Sequence, residues 1–160
     1  MSVATAPQLS AGHQRLQALV GTWRGEETMS ATQWAPAGSA TSEVVADAEF
    51  GGLFVSQHHC QMRDGHVSFE SRNMFGFDSN DGSYKLWQFD SMGFVPPAPA
   101  SGRLEGNTLT LTRSSPRGSA RSTYIFDDAD TYRMTLEFQP AGGAWMPMVS
   151  GVYRRISNEQ

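Results

Sequence analysis

Glu27, the adjacent pair His58-His59 and the single Cys60 are the residues whose types could do chemistry in this chain of 160 residues. Their spacing excludes several chemistries. Neighbouring residues on a strand point to opposite faces, so His58 and His59 cannot chelate one ion, and no His-x-His pair or carboxylate triad accompanies them; no metal is expected. For the same reason Cys60 and His59 form no nucleophile and base pair, and an interior thiol reads as inert packing. No Gly-x-Ser-x-Gly elbow, glycine-rich phosphate loop or dinucleotide fingerprint occurs, which removes support for hydrolase, kinase and nicotinamide chemistry. What remains is proton transfer by Glu27 or His58, or polar recognition of a bound molecule.

The facing of these residues follows from turns and alternation. Asp64-Gly65 is a two-residue hairpin signal that sets the pairing of the strands around it. Read pair by pair from that turn, Met62 faces Val67, Cys60 faces Phe69, His58 faces Ser71, Ser56 faces Asn73 and Phe54 faces Phe75, all on one face. The opposite face, with Gln57, His59, Gln61, Ser68, Glu70 and Arg72, reads as the wet one, His59 standing across from Glu70. The interior would then carry Ser56, His58, Ser71 and Asn73 at its middle. That patch is either a self-satisfied network or the polar floor of a ligand cavity. Placing Trp23 inside brings Gly25, Glu27 and Met29 inside too, making Glu27 a buried carboxylate in need of a cation, hydrogen bonds or a raised pKa. Tyr132, Met134, Leu136 and Phe138 alternate as lining. Apolar weight puts Trp87 and Phe89 inward and Gln88 and Asp90 outward, although a slip of one residue reverses that.

These residues need a scaffold of strands. The length predicts one domain, residues 10–157, after a loose tail over 1–9. Ser10 caps a short helix whose Leu16, Leu19 and Val20 share a face, and Gly21 stops it. Ten strands follow, at 21–29, 41–50, 53–62, 66–78, 83–90, 100–105, 108–113, 119–126, 131–138 and 144–155, joined mostly by tight Gly, Asn and Asp turns. Up-and-down order favours an all-β antiparallel closed barrel, since closure removes unpaired edges. The exception among the connections is 91–101, with Met92, Phe94, Val95 and three prolines. Leu, Ile and Val total 20 residues, whereas aromatics plus Met total 25, which suits a lined, hollow interior better than an aliphatic plug. The net charge of −4 and the lack of a basic cluster speak against nucleic acid. No apolar run approaches the roughly 20 residues of a membrane span, no signal peptide opens the chain, and one cysteine permits no internal disulfide; a cytoplasmic protein is expected.

The run Leu19 to Met29 with its Gly21-Thr22-Trp23 opening, Gly51 to Val55, Phe75-Gly76-Phe77-Asp78, Phe89 to Gly93 and Gly151-Val152-Tyr153-Arg154 together resemble the bacterial family named domain of unknown function 1579, from His13 to Arg155. The resemblance implies a lipocalin-like, or calycin-type, barrel and carries no established activity. The opening Trp23-Arg24-Gly25 is also similar to that of the nitrobindin group, which binds haem through a histidine on a late strand. No histidine follows His66 here, so haem is not expected, nor any other cofactor.

The expected function is binding of a small, largely apolar or aromatic molecule inside the barrel. Trp23, Glu27, Phe54, Ser56, His58, Phe69, Ser71, Asn73, Trp87, Phe89, Tyr132 and Met134 are the candidate contacts. One alternative is a cofactor-free isomerase, cyclase or dehydratase with His58 or Glu27 as general acid or base. Another is a protein-interaction module, with a homodimer as one form of it, using the Met92 to Pro99 loop.

Overall fold

The computed structural model describes residues 8–33 and 35–156, so most of the expected tail and the last position of the expected domain, 157, lie outside the described residues. A helix, α1 (Ala11–Leu16), starts at Ser10, whose backbone N–H donates to His13 Nδ1 at 3.1 Å. A 3-10 turn over Gln17–Leu19 follows. Leu16 and Leu19 are buried on the shared face that their spacing predicts.

Ten strands complete the chain: β1 (Gly21–Met29), β2 (Gly38–Glu49), β3 (Phe54–Arg63), β4 (His66–Asp78), β5 (Ser83–Asp90), β6 (Ala100–Glu105), β7 (Thr108–Ser115), β8 (Gly118–Asp128), β9 (Thr131–Pro140) and β10 (Met146–Arg155). Each pairs antiparallel with the next and β10 returns to β1, so the barrel is closed. Among the described residues, no helix is long and apolar enough to cross a membrane.

The two ends of the barrel differ. At one, α1 lies across the opening: Tyr84 O–H donates to the Gly12 carbonyl at 2.9 Å, and Arg15 donates to the Gly106 carbonyl. Beneath it Trp23, Val44, Val55, Phe75, Leu109, Leu111 and Tyr132 are buried. Trp23 Nε1 donates to the Leu19 carbonyl at 3.0 Å, while the Arg155 guanidinium sits 4.3 Å over its ring and donates to the Val20 carbonyl at 2.6 Å. A Trp so held is worth about 3–5 kcal/mol against Ala. At the far end the inward positions Gln88, Arg113, Ser122, Leu136, Phe138 and Val149 remain only half-buried. The inward side chains are thus fully buried at the α1 end, the floor, and partly exposed at the other end, the mouth.

The wall is also notched near the mouth. β5 and β6 pair only at Tyr84↔Gly102, Lys85↔Ser101 and Leu86↔Ala100, so the last residues of β5 have no β6 neighbour. Residues 91–99 span that gap. Met92, Phe94 and Val95 on this flap are exposed, and the Arg117 guanidinium of the β7–β8 turn stacks 3.5 Å over the Phe94 ring.

The hairpin of β3 and β4 corrects the expected facing. Asp64 and Gly65 take the positive φ values, 52° and 78°, that the turn requires, and Met62 does stand opposite Val67. The next pair is Gln61 with Phe69, which leaves Ser68 as an extra residue in a β-bulge. Ser68 Oγ donates to the Gln61 side-chain oxygen at 2.9 Å and fastens the bulge. Every later pair is displaced by one: Cys60 stands opposite Glu70, His58 opposite Arg72, Ser56 opposite Met74 and Phe54 opposite Gly76. β4 keeps the expected inward residues Ser71, Asn73 and Phe75, whereas β3 turns over. Val55, Gln57, His59 and Gln61 face in, and Phe54, Ser56, His58 and Cys60 face out. A shift of one residue exchanges the faces of a whole strand because side chains alternate with period two.

β5 is corrected for a related reason. Phase is transmitted across the ladder, and the inward Phe75 and Asn73 pair with Leu86 and Gln88. Tyr84 and Leu86 are accordingly buried, while Trp87 and Phe89 lie on the outer wall at 39% and 52% exposure. Gln88 and Asp90, expected outside, take the inner face.

Candidate functional site

Glu27 is the organising residue of the interior. It lies on the inner face of β1, 2% exposed, opposite Gly151 of β10. The missing side chain at 151 makes room for Tyr153, whose hydroxyl would be only 2.5 Å from a Cβ placed there. Gly25 opens the space on the other side, since its Cβ would stand 2.2 Å from Ser42 Oγ and 2.5 Å from the Tyr153 ring. Glycine inside a strand often marks such a close approach.

Three side chains converge on the carboxylate. Tyr153 O–H donates a short hydrogen bond to Oε2, and Gln61 Nε2 donates to Oε1 at 2.8 Å. His59 Nε2 stands 2.9 Å from Oε2, within ion-pair reach but off the hydrogen-bonding axis. Burial alone raises the pKa of Glu27, but His59, Tyr153 and Gln61 together outweigh it and hold the group below its ordinary 4.5. Burial first, and the Glu27 charge second, push the Tyr153 phenol far up, so it stays a donor.

An aromatic column fixes this cluster on the floor. Trp23 meets Tyr132 edge-on at 4.7 Å, Tyr132 stacks on Tyr153 at 4.8 Å, and His59 stands edge-on to Tyr153 at 6.3 Å. Beside it on the inner wall, Asn73 Nδ2 donates to Gln57 Oε1 at 2.8 Å and to Ser71 Oγ at 3.3 Å. The network is thus largely self-satisfied. Besides His59 Nε2, two buried side-chain atoms among the described residues lack a hydrogen-bond partner, Ser42 Oγ and Asn73 Oδ1.

Of the residues expected in the site, Trp23, Glu27, Phe69, Ser71, Asn73, Tyr132 and Met134 lie on inner-face positions. The other five lie on the outer wall. Phe54 packs over Gly76 and meets Phe50 edge-on at 5.9 Å. Ser56 Oγ donates to Glu49 at 3.1 Å, and His58 pairs with Glu70 in a half-exposed contact. Trp87 and Phe89 were displaced by the phase of β5. His59, Gln61 and Gln57 replace the expected β3 residues, and Tyr153 joins them. Gly25 and Gly151 were the sequence signals for Tyr153, as glycines within strands otherwise rich in large side chains.

Two concavities of about 270 and 300 Å³ lie outside this cluster. One runs over Thr123, Ile125, Arg133 and Val152, and the other lies between α1 and the β6–β7 turn. Neither touches Glu27, His59, Ser71 or Asn73.

The fold has solved counterparts. The crystal structure of Rv2717c from M. tuberculosis superposes with a TM-score of 0.73 at 17% identity, covering 94% of this chain and 100% of that one. S-type phycobiliprotein lyase CPES from Guillardia theta gives 0.63 at 13% identity, covering 91% and 93%. A protein of unknown function from the DUF3598 family of Nostoc punctiforme PCC 73102 gives 0.62 at 10% identity, covering 88% of this chain and 49% of that one. At such identities the likeness is one of fold. No curated protein matches the chain. The family profile described as protein of unknown function (DUF1579) matches residues 8–155, nearly the whole chain, and the protein belongs to that family.

Proposed function

We propose that the protein binds a small, largely apolar or aromatic molecule in the open half of its barrel. One observation carries this reading: above a packed floor, the inward side chains Gln88, Arg113, Ser122 and Leu136 keep part of their surface exposed. Leu136 and Phe69 offer apolar contact there, and His59, whose side chain is 13% exposed, is a polar group at the bottom of the open half. A barrel of this fold also serves a phycobiliprotein lyase, which supports the reading by analogy of fold only.

The catalytic alternative is less well supported. His58 faces outward, and a carboxylate held below its ordinary pKa is a weak base near neutrality, the opposite of the tuning that general-base catalysis favours. Titration with the neutral fluorophore N-phenylnaphthylamine tests the binding reading. Saturable binding with one site is expected, lost on Ser122→Trp while the unfolding curve is retained; absence of saturable binding to the parent protein overturns it.

A second reading has its own observation. Phe54, Met74, Trp87 and Phe89 face outward on β3, β4 and β5, with Met74 paired to Trp87, and Met92, Phe94 and Val95 of the following flap are exposed. Apolar strips of this kind favour association, here with a second copy. Sedimentation velocity distinguishes it: Trp87→Glu should lower the sedimentation coefficient of a dimer, and a monomeric parent protein rules it out.

A further inference from the structure

We infer that the molecule taken up is an amphipathic acid, a carboxylate on an apolar or aromatic body, whose anionic end pairs with Arg113 at the barrel mouth. This rests on the binding reading above and adds the ligand's charge and orientation.

Most of the eleven arginines already have partners. Arg121 forks onto Glu137 at 3.0 and 3.1 Å, and Arg133 onto Asp127 at 2.9 Å through both nitrogens. Arg155 pairs with Asp130 at 3.2 Å and Arg154 with Glu26 at 4.0 Å. Arg15 and Arg103 donate to carbonyls, and Arg117 covers Phe94. Arg24 and Arg72 are exposed on outward positions, where water solvates them.

Arg63 and Arg113 are different. Both occupy inner-face positions at the mouth and are half-buried, yet among the described residues no carboxylate lies within ion-pair distance of either. Arg113 continues the inward row Leu109, Leu111 on β7, opposite Ala120 of β8, and stands past the last β6 pair, at the edge of the notch. Arg63 ends the inward row of β3 and folds over Gly38, where a Cβ would come within 2.2 Å of its guanidinium. β3 and β7 are four strands apart in the ring of ten, so the two cations flank the opening from nearly opposite sides. Asp90, an inward acid on β5, accepts from the Met92 N–H at 3.0 Å and from Gln88 at 3.3 Å and is committed to the turn of the flap.

Arg113 is partly buried on the inner face and meets no carboxylate of the protein among the described residues, so an incoming anion finds a cation that no protein acid neutralises. Its planar fork matches a carboxylate through two parallel hydrogen bonds. The buried Glu27 charge sets the orientation. It repels an acid from the floor, so the anionic end stays at the rim while the apolar body lies along Leu136.

A matched pair of fluorophores tests this. Anilinonaphthalenesulfonate and N-phenylnaphthylamine share one ring system and differ by the sulfonate, which stands in for the carboxylate. Arg113→Gln should weaken the sulfonate probe about tenfold or more and leave the neutral probe within about twofold. Arg113→Lys should retain part of the affinity, and added salt should weaken only the sulfonate probe. Unchanged sulfonate binding in Arg113→Gln, with the neutral probe still bound, overturns the inference whatever Arg63→Gln shows. Failure of both probes to bind the parent protein overturns the binding reading, and this inference with it.

Discussion

Tyr153→Phe isolates the hydrogen bond that anchors the buried carboxylate. The phenyl ring keeps its stack on Tyr132 and its place over Gly25, so the variant loses one donor and creates little cavity. The bond is to an ionised group, for which losses of about 1.5–3 kcal/mol are typical. In a chain of this length that is a fall of about 3–12 °C in Tm. The pH dependence follows from the sign of the Glu27 shift. Its folded pKa lies below 4.5, so the stabilisation from ionised Glu27 is present above the unfolded pKa and is lost as pH falls through the folded one. Removing a donor raises that folded pKa. The gap between parent and variant should therefore be widest near pH 7 and narrow steadily below about pH 4.5, towards the ~1 kcal/mol of a bond between neutral groups. Urea unfolding of both proteins across that range measures it. A gap below about 0.5 kcal/mol near neutrality, or one that does not narrow at any acid pH at which the parent is still folded, refutes the assignment of Glu27 as an ionised anchor.

The reversed facing of β3 separates the two histidines: His58→Ala removes only an outer-wall contact and should cost less than about 1 kcal/mol, whereas His59→Ala opens the interior cluster and should cost about 2–4 kcal/mol, both by urea unfolding. Gly25→Ala forces a methyl to 2.2 Å from Ser42 Oγ and 2.5 Å from the Tyr153 ring and should destabilise by about 1–3 kcal/mol; a neutral outcome means that Tyr153 can move aside. Arg117→Ala removes the contact over Phe94, and amide exchange should accelerate across the flap with little change in the β-strands, since one such contact is worth about 0.5–1 kcal/mol.

Much of the fold is legible in the sequence. Alternation placed Trp23, Gly25 and Glu27 on one face of β1, and Tyr132, Met134 and Leu136 on one face of β9, because each strand carries its large apolar residues at a strict period of two. The Asp64-Gly65 turn could be read because only a few residues accept positive φ at both positions. β3 had no such internal check. Its two faces, Phe54, Ser56, His58, Cys60 against Val55, Gln57, His59, Gln61, are nearly equal in polarity, so the pairing alone had to decide. β5 posed the converse difficulty, its two heaviest residues, Trp87 and Phe89, lying on the outer wall.

The sequence by itself therefore determined the class of fold, the turns, the strand limits to within a few residues and the buried position of Glu27. These follow from local rules of periodicity and backbone freedom. The tertiary structure decided which histidine shares the interior with Glu27 and that Tyr153 reaches it. A single extra residue, Ser68, is accommodated as a bulge because its hydroxyl bonds Gln61 across the strands. The same displacement brings Val55 opposite Phe75, both fully buried in the core. Local alternation does not reveal that choice, since both registers satisfy the turn equally and only the closed barrel, by burying one face completely, selects between them.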